Sequence, residues 1–447
     1  MKKKLANLIK LALVSSLIVL LAGCFTMTTE ELYSMPQLPE EYQDLQMLID
    51  GLFAEGAEYS APATGSNRSA VQLQDINHDG SDEAVAFLNF PGEESPLKIY
   101  IFSRVGNDYV PSAVLEGEGT SIDSVDYVDM DGDGVDEIIV GWQLGSGISM
   151  LYAYSVKDFQ VVPLISTDYS EYTVCRMNTA NENRSIMVFR LPALDATGQV
   201  EVYSLNRGGE IVSAASALSS GVESISRIRS GRLLDDEFAV YVESTLTTGA
   251  LATDIFVYSD MELRNIVLDS DTGVSDSTVR TYNIYSRDLN GDGVLEVPSP
   301  VPIAYQNEQV AYWLVDWYAY RASSVKSLMM TTYHNLSDGW YLEIPEEWHD
   351  NITVHREDAS SGERAIVFSR YNTREGAWID FLAIYAITGD NRMERAATDG
   401  RILLDTSDST AFAAKILDTG TGGYQVKAGL IQNNFHIIYA EWMIGER

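Results

Sequence analysis

The sequence predicts a mainly β chain, a repeat domain followed by a small α+β domain. Three observations predict it. An acidic, glycine-bearing loop of one fixed spacing occurs three times. Short apolar runs rich in aromatic residues recur in step with those loops. Past about residue 330 the pattern changes, and four of the seven tryptophans fall there (Trp340, Trp348, Trp378, Trp442).

The first element is a secretion signal over residues 1–23. Lys2, Lys3 and Lys4 form its basic start and Leu11 to Leu21 its apolar core. Leu21-Ala22-Gly23-Cys24 then matches the bacterial lipobox, in which cleavage precedes a cysteine that carries a diacylglycerol. Leu5 to Ala22 is nearly long enough to be an uncleaved membrane helix, but length alone does not require that ending. Cys24 is therefore the expected lipidation site. The expected location is the cell membrane, lipid-anchored and facing outside the cytoplasm. With Cys24 consumed, Cys175 is alone and no intramolecular disulfide can form. Cys175 lies in the strand-like Tyr172–Arg176 and reads as a small core residue.

Residues 24–40 read as a tether holding acids and two prolines. From Glu41 to Phe53, Tyr42, Leu45, Leu48, Ile49 and Leu52 stand at helical spacing. This helix is expected to dock on the repeat domain, which with it spans residues 41–328.

The three acidic loops come next. They are Asp75-Ile-Asn77-His-Asp79-Gly-Ser81-Asp-Glu83, Asp129-Met-Asp131-Gly-Asp133-Gly-Val135-Asp-Glu137 and Asp288-Leu-Asn290-Gly-Asp292-Gly-Val294-Leu-Glu296. Each offers side-chain oxygens at positions 1, 3, 5 and 9, a backbone carbonyl at position 7 and Gly at position 6. Ca2+ takes six to eight oxygens in a flexible shell, and such a loop points alternate ligands at one centre. The glycine permits the sharp turn. An EF-hand is excluded, because its position-12 glutamate is replaced by Ala86, Val140 or Ser299. The apolar runs that follow, Ala84–Leu88 and Ile138–Val140, read as strand. The alternative is an Asx-type turn satisfied by its own backbone. Calcium here is expected to clip strands together rather than to do chemistry.

The first two loops start 54 residues apart and the third 159 further on, close to three such periods. Two degenerate copies are therefore expected between them, at Asn178–Phe189 and Leu234–Tyr241. The strand series keeps the same register: Ile99–Phe102, Leu151–Tyr154, Val200–Tyr203, Ile255–Tyr258 and Tyr312–Val315. Alternating β-branched and aromatic residues favour strands. A period near 50 with several strands per unit predicts β-propeller-like blades. Five are countable, and seven would result if the C-terminal part supplied two more. On the D-x-[DN]-x-D-G pattern followed by an apolar strand, residues 65–325 resemble the FG-GAP/VCBS repeat family. Glu83, Glu137 and Glu296 stand where the integrin-type version has Asp, so a carboxylate is kept. The resemblance implies calcium at blade hairpins and a propeller that serves mainly as an interaction platform.

Residues 329–447 read as the small α+β domain. Gly339 to Val354 gives strand, proline turn, strand. Ala365–Phe368 and Phe381–Tyr385 give further strands. Asp405-Thr-Ser-Asp408 looks like a helix cap ahead of Ala411–Ile416. Phe435, Ile438, Tyr439 and Trp442 share one helical face, though the stretch also suits a strand. The entry pattern is similar to the photosystem-extrinsic-subunit-like fold.

The chain holds 30 basic and 65 acidic residues. Residues 1–23 contain four lysines and no acids, so removing them leaves a net charge of −39. That charge repels nucleic-acid phosphate, and no nucleic-acid partner is expected. Walker A, G-x-S-x-G, H-E-x-x-H and C-x-x-C motifs are all absent. The five histidines show no zinc spacing, and Gly420–Gly423 lacks the lysine of a phosphate loop. A lipid-anchored scaffold for an extracellular protein or glycan ligand follows. The alternative is an extracellular hydrolase or lyase acting on glycans at the propeller funnel.

Overall fold

The computed structural model describes residues 42–438, apart from 118, 146, 158–159, 178–182, 192–196, 207, 304–311, 350–351, 360–361 and 420–424. The expected signal segment, Cys24 and the tether lie outside the described residues. So do the Gly420–Gly423 run, Tyr439 and Trp442. Among the described residues no helix is long and apolar enough to cross a membrane. The fold is mainly β, a β-propeller-like succession of small antiparallel sheets. Its described residues divide into two compact units, one holding those of 42–61, 69–75 and 79–117, the other those of 62–68, 76–78 and 119–438.

The first unit contains helix α1 (Gln43–Ala54) and strands β1 (Glu58–Tyr59), β2 (Val71–Gln74), β3 (Glu83–Asn89), β4 (Leu97–Val105) and β5 (Asp108–Gly117). β3 pairs with β1, β2 and β4, and β4 with β5. The helix buries Leu45 and Ile49 against Ala84, Ala86, Phe102 and Tyr109. The two alanines on β3 leave room for that face, so the helix docks on its own sheet.

The second unit repeats one plan three times. β6 (Ser121–Val128), β7 (Glu137–Leu144), β8 (Ile148–Lys157) and β9 (Gln160–Tyr169) form a four-stranded meander. So do β10 (Glu171–Cys175), β11 (Ser185–Arg190), β12 (Thr197–Leu205) and β13 (Ile211–Ser220). The third copy is β14 (Val222–Arg232), β15 (Phe238–Leu246), β16 (Leu251–Ser259) and β17 (Glu262–Asn265). The second strand of each is buried on both faces, as its continuous apolar run requires. Consecutive sheets pack face to face. Ile139 and Leu151 meet Ile186 and Val188, and Met187 and Phe189 share a core with Val240 and Phe256. The aromatic series falls on the third strands β4, β8, β12 and β16.

The fifth sheet departs from the plan. It contains β18 (Val297–Pro302), β19 (Trp313–Tyr320), β20 (Lys326–Asn335), β21 (Trp340–Glu343) and, from the far end of the chain, β27 (Phe435–Ile437). Its strand ahead of the acidic loop shrinks to a bridge between Arg287 and Glu296. The expected boundary at 328/329 falls inside β20. Trp340, Leu342 and Phe435 share one core with Phe368 and Phe381 of the next sheet.

That sixth sheet runs β22 (Ile352–Ala359), β23 (Glu363–Asn372), β24 (Ala377–Thr388), β26 (Thr410–Ile416), β25 (Ile402–Thr406). Short helices α2 (Arg392–Ala396) and α3 (Ala428–Asn434) accompany it. The helix expected over Ala411–Ile416 is corrected to a strand. Phe412 and Ala414 enter one core and Ala411 and Ala413 another, a period of two. The stretch from Phe435 is likewise strand over the described residues. Cys175 is buried and free, its Sγ directed at the Ser185 carbonyl oxygen, and burial pushes the thiol up to about 12.

Candidate metal centres

Each acidic loop joins two antiparallel segments and is pinned at two points. Position 9 opens the following strand, or in the third loop directly precedes it, and is buried: Glu83, Glu137 and Glu296 are 4%, 1% and 0% exposed. Position 2 is an apolar anchor, fully buried at Met130 and nearly so at Ile76. In the second and third loops positions 3 and 5 therefore lie between two anchored ends.

The same hydrogen bonds recur in all three. The position-6 glycine donates to Oδ2 of position 1: Gly80 to Asp75 (3.0 Å), Gly134 to Asp129 (3.0 Å), Gly293 to Asp288 (2.8 Å). The position-7 amide donates to position 5: Ser81 to Asp79 (2.8 Å), Val135 to Asp133 (2.9 Å), Val294 to Asp292 (2.8 Å). In the second and third loops the buried glutamate also accepts from position 2, Met130 to Glu137 (2.9 Å) and Leu289 to Glu296 (3.0 Å). These bonds set the direction of the position-1 and position-5 carboxylates in all three loops, and of Glu137 and Glu296. They are also the backbone satisfaction that a bare Asx turn would use.

The loops differ in how closely their oxygens approach. Asp129, Asp131 and Glu137 each bring one carboxylate oxygen within 4.8 Å of the others. Among the described residues this is the one such cluster. Two carboxylates at that distance repel by roughly 1–3 kcal/mol near a protein surface. A hard divalent cation removes that repulsion, and an all-oxygen set suits Ca2+. In the third loop the Glu296 Oε1 atom is buried with no hydrogen-bond partner. Burial pushes its carboxyl up to about 7. A buried oxygen without a donor is what a cation would satisfy, so the residues present fit calcium there too.

The first loop is the least regular. Asn77 belongs to a different compact unit from Asp75, Asp79, Ser81 and Glu83. His78 stands where the other loops have Gly132 and Gly291, and all three positions have positive φ (51°, 79° and 76°). Histidine there costs about 1 kcal/mol that glycine avoids. Its Nε2 lies 3.2 Å from Asp136 Oδ1. Gly132 has a second reason to be glycine, since a Cβ would fall 2.8 Å from Asn183 Oδ1.

The two degenerate copies are not equivalent. Residues 178–182 of the first lie outside the described residues. The second is a tight turn joining β14 to β15, in which Leu233 N–H donates to the Glu237 carbonyl oxygen (2.9 Å). Arg232 pairs with Asp236. Asp235 accepts the Ala322 amide (3.1 Å).

His349 meets Asp316 (3.0 Å) and Thr331 (2.6 Å) through the same ring nitrogen, Nε2. A hydroxyl–imidazole–carboxylate relay needs two different nitrogens. Sequence reasoning gave no weight to Arg287, Tyr341 and His436. With Asp288 they line a cavity of about 310 Å³. They come from three separated segments, so no local pattern marks them.

No family model matches the chain, and no curated protein matches it. Among solved structures the chain is similar to a putative 6-phosphogluconolactonase from Bacteroides fragilis, at 10% identity and a TM-score of 0.24, over 76% of this chain and 86% of that one. A TM-score that low does not define a shared fold, so the architecture rests on the chain's own sheets.

Proposed function

We propose that this chain is a lipid-anchored, extracytoplasmic, calcium-binding scaffold whose β-propeller-like sheets present a surface to a protein or glycan ligand. The observation that carries the metal reading is the convergence of Asp129, Asp131 and Glu137 within 4.8 Å. The resemblance of the loops to FG-GAP/VCBS repeats supports it. The lipobox Leu21–Cys24 supports the anchor. The missing catalytic motifs favour binding over hydrolysis.

Calcium in the loops holds a strand pair together and cancels repulsion between packed acids. Binding only the folded state, it raises stability by about 2.7 kcal/mol at a hundredfold excess over the dissociation constant. Thermal melting of the full chain with calcium and with chelator tests this. A midpoint a few degrees higher in calcium is expected. An unchanged midpoint means the loops are bare turns.

A further inference from the structure

The cavity beside the third acidic loop has a lining that selects for one kind of ligand. Arg287 and Asp288 enter it from the foot of the loop, Tyr341 from β21, Asp405 from β25, and His436 and Ile437 from β27. Its aromatic wall is rigid. Tyr341 and His436 are cross-strand partners whose rings stack at 4.8 Å and 24°, and His334 stacks on Tyr341 from within the sheet at 5.3 Å. His436 Nε2 is held 3.0 Å from Glu343 Oε1. The volume of about 310 Å³ is at the small end of ligand pockets, fit for one ring rather than a chain.

Charge narrows the choice. A carboxylate or phosphate ligand attracted to Arg287 would meet Asp288 and Asp405. An amine attracted to the acids would meet Arg287. A neutral, polyhydroxylated ring meets neither penalty. Its hydroxyls donate to carboxylates and accept from a guanidinium, and its C–H face lies against an imidazole. Asp288 belongs to both sites. It lines the cavity, and its two oxygens accept the Gly291 (2.7 Å), Asp292 (3.1 Å) and Gly293 (2.8 Å) amides of the loop. A cation held by the loop would lower the negative charge facing the cavity, on a carboxylate whose direction those amides already set.

We propose that this cavity binds a single neutral sugar ring, and that calcium in the third loop strengthens the binding. The second half rests on the calcium reading of that loop. The ring could be a free monosaccharide or the terminal unit of a glycan, which share this chemistry.

The test is ligand-observed NMR on the full chain. The probes are methyl glycosides of glucose, galactose, mannose and N-acetylglucosamine, glucuronate as the charged control, and a polysaccharide that ends in the preferred sugar. Expected is binding of at least one neutral glycoside with a dissociation constant on the order of 1 mM, about tenfold weaker in chelator. Competition by the polysaccharide at matched terminal residues identifies the glycan source, and its failure identifies the free sugar. Arg287→Gln and His436→Ala should each weaken binding about tenfold and leave the calcium melting shift intact, which also shows that they fold. Asp292→Ala should lose the third loop's share of both. Failure of every neutral glycoside, tighter binding of glucuronate, or indifference to both cavity variants would overturn the site. Equal sugar binding with and without calcium would overturn the coupling. A calcium shift without sugar binding sinks this inference alone, whereas an absent calcium shift sinks the reading beneath it.

Discussion

The second and fourth repeats solve one problem with different chemistry. Both must turn the chain between the first two strands of a four-stranded meander. The second uses an acidic loop in which Asp129, Asp131 and Glu137 converge. The fourth uses a short turn, with Asp236 at φ 65° and paired to Arg232. The strands around them are equally buried, β7 and β15 alike. The meander therefore does not need the acidic loop. On the calcium reading proposed above, what the loop adds is a place for a cation, and with it a stability that depends on whether the cation is there.

The largest way to break the comparison is at Glu137. It is 1% exposed and accepts the Met130 amide. Glu137→Ala removes a candidate ligand and leaves a buried N–H without its acceptor, a loss of about 1–3 kcal/mol even in chelator. Glu137→Gln keeps an acceptor there and should lose mainly the calcium-dependent part. Melting both variants with and without calcium separates the two losses.

A separate pH effect comes from a group buried without any cation. His334, 5% exposed, contacts Thr332 Oγ1 at 2.8 Å, and burial holds its imidazole down at about 3. The unfolded chain takes up that proton near pH 6.5 and the folded chain does not. Stability is thus fully present above 6.5 and falls as the pH drops toward 3, by roughly 3–6 kcal/mol. His334→Gln should flatten that part of a stability–pH curve, in calcium and in chelator alike.

Smaller effects are expected where side chains are exposed or half-buried. The double variant Asp131→Ala, Asp133→Ala removes two carboxylates from the middle loop. It should lose that loop's calcium shift and leave the chelator midpoint level or slightly higher, because repulsion is relieved. Asp236→Gly removes an exposed ion pair but suits the positive φ, so the change should stay within about 1 kcal/mol and be blind to calcium.

Local chemistry explains what the sequence made readable. The candidate loop ligands sit within nine residues of each other, so identity and spacing suffice to nominate them. The helix at Gln43–Ala54 and the buried second strands follow from periodicity within one element. Long-range pairing explains the rest. Ala411–Ile416 has the composition of a helix, and only its partners β24 and β25 make it a strand. Trp340 and Leu342 pair with Ile437 and Phe435, a closure no window of sequence contains. The carboxylate of Glu243 reads as surface charge, yet it is buried against Arg280 at 2.8 Å. The cavity beside Asp288 was hidden for the same reason, since its walls come from four separated segments.

Calorimetric titration of calcium into the metal-stripped full chain tests the central claim most directly. Saturable binding is expected, with one site lost in the Asp131→Ala, Asp133→Ala variant and none lost in Asp236→Gly. No saturable heat in the parent chain, or equal heat in all three proteins, would contradict the account.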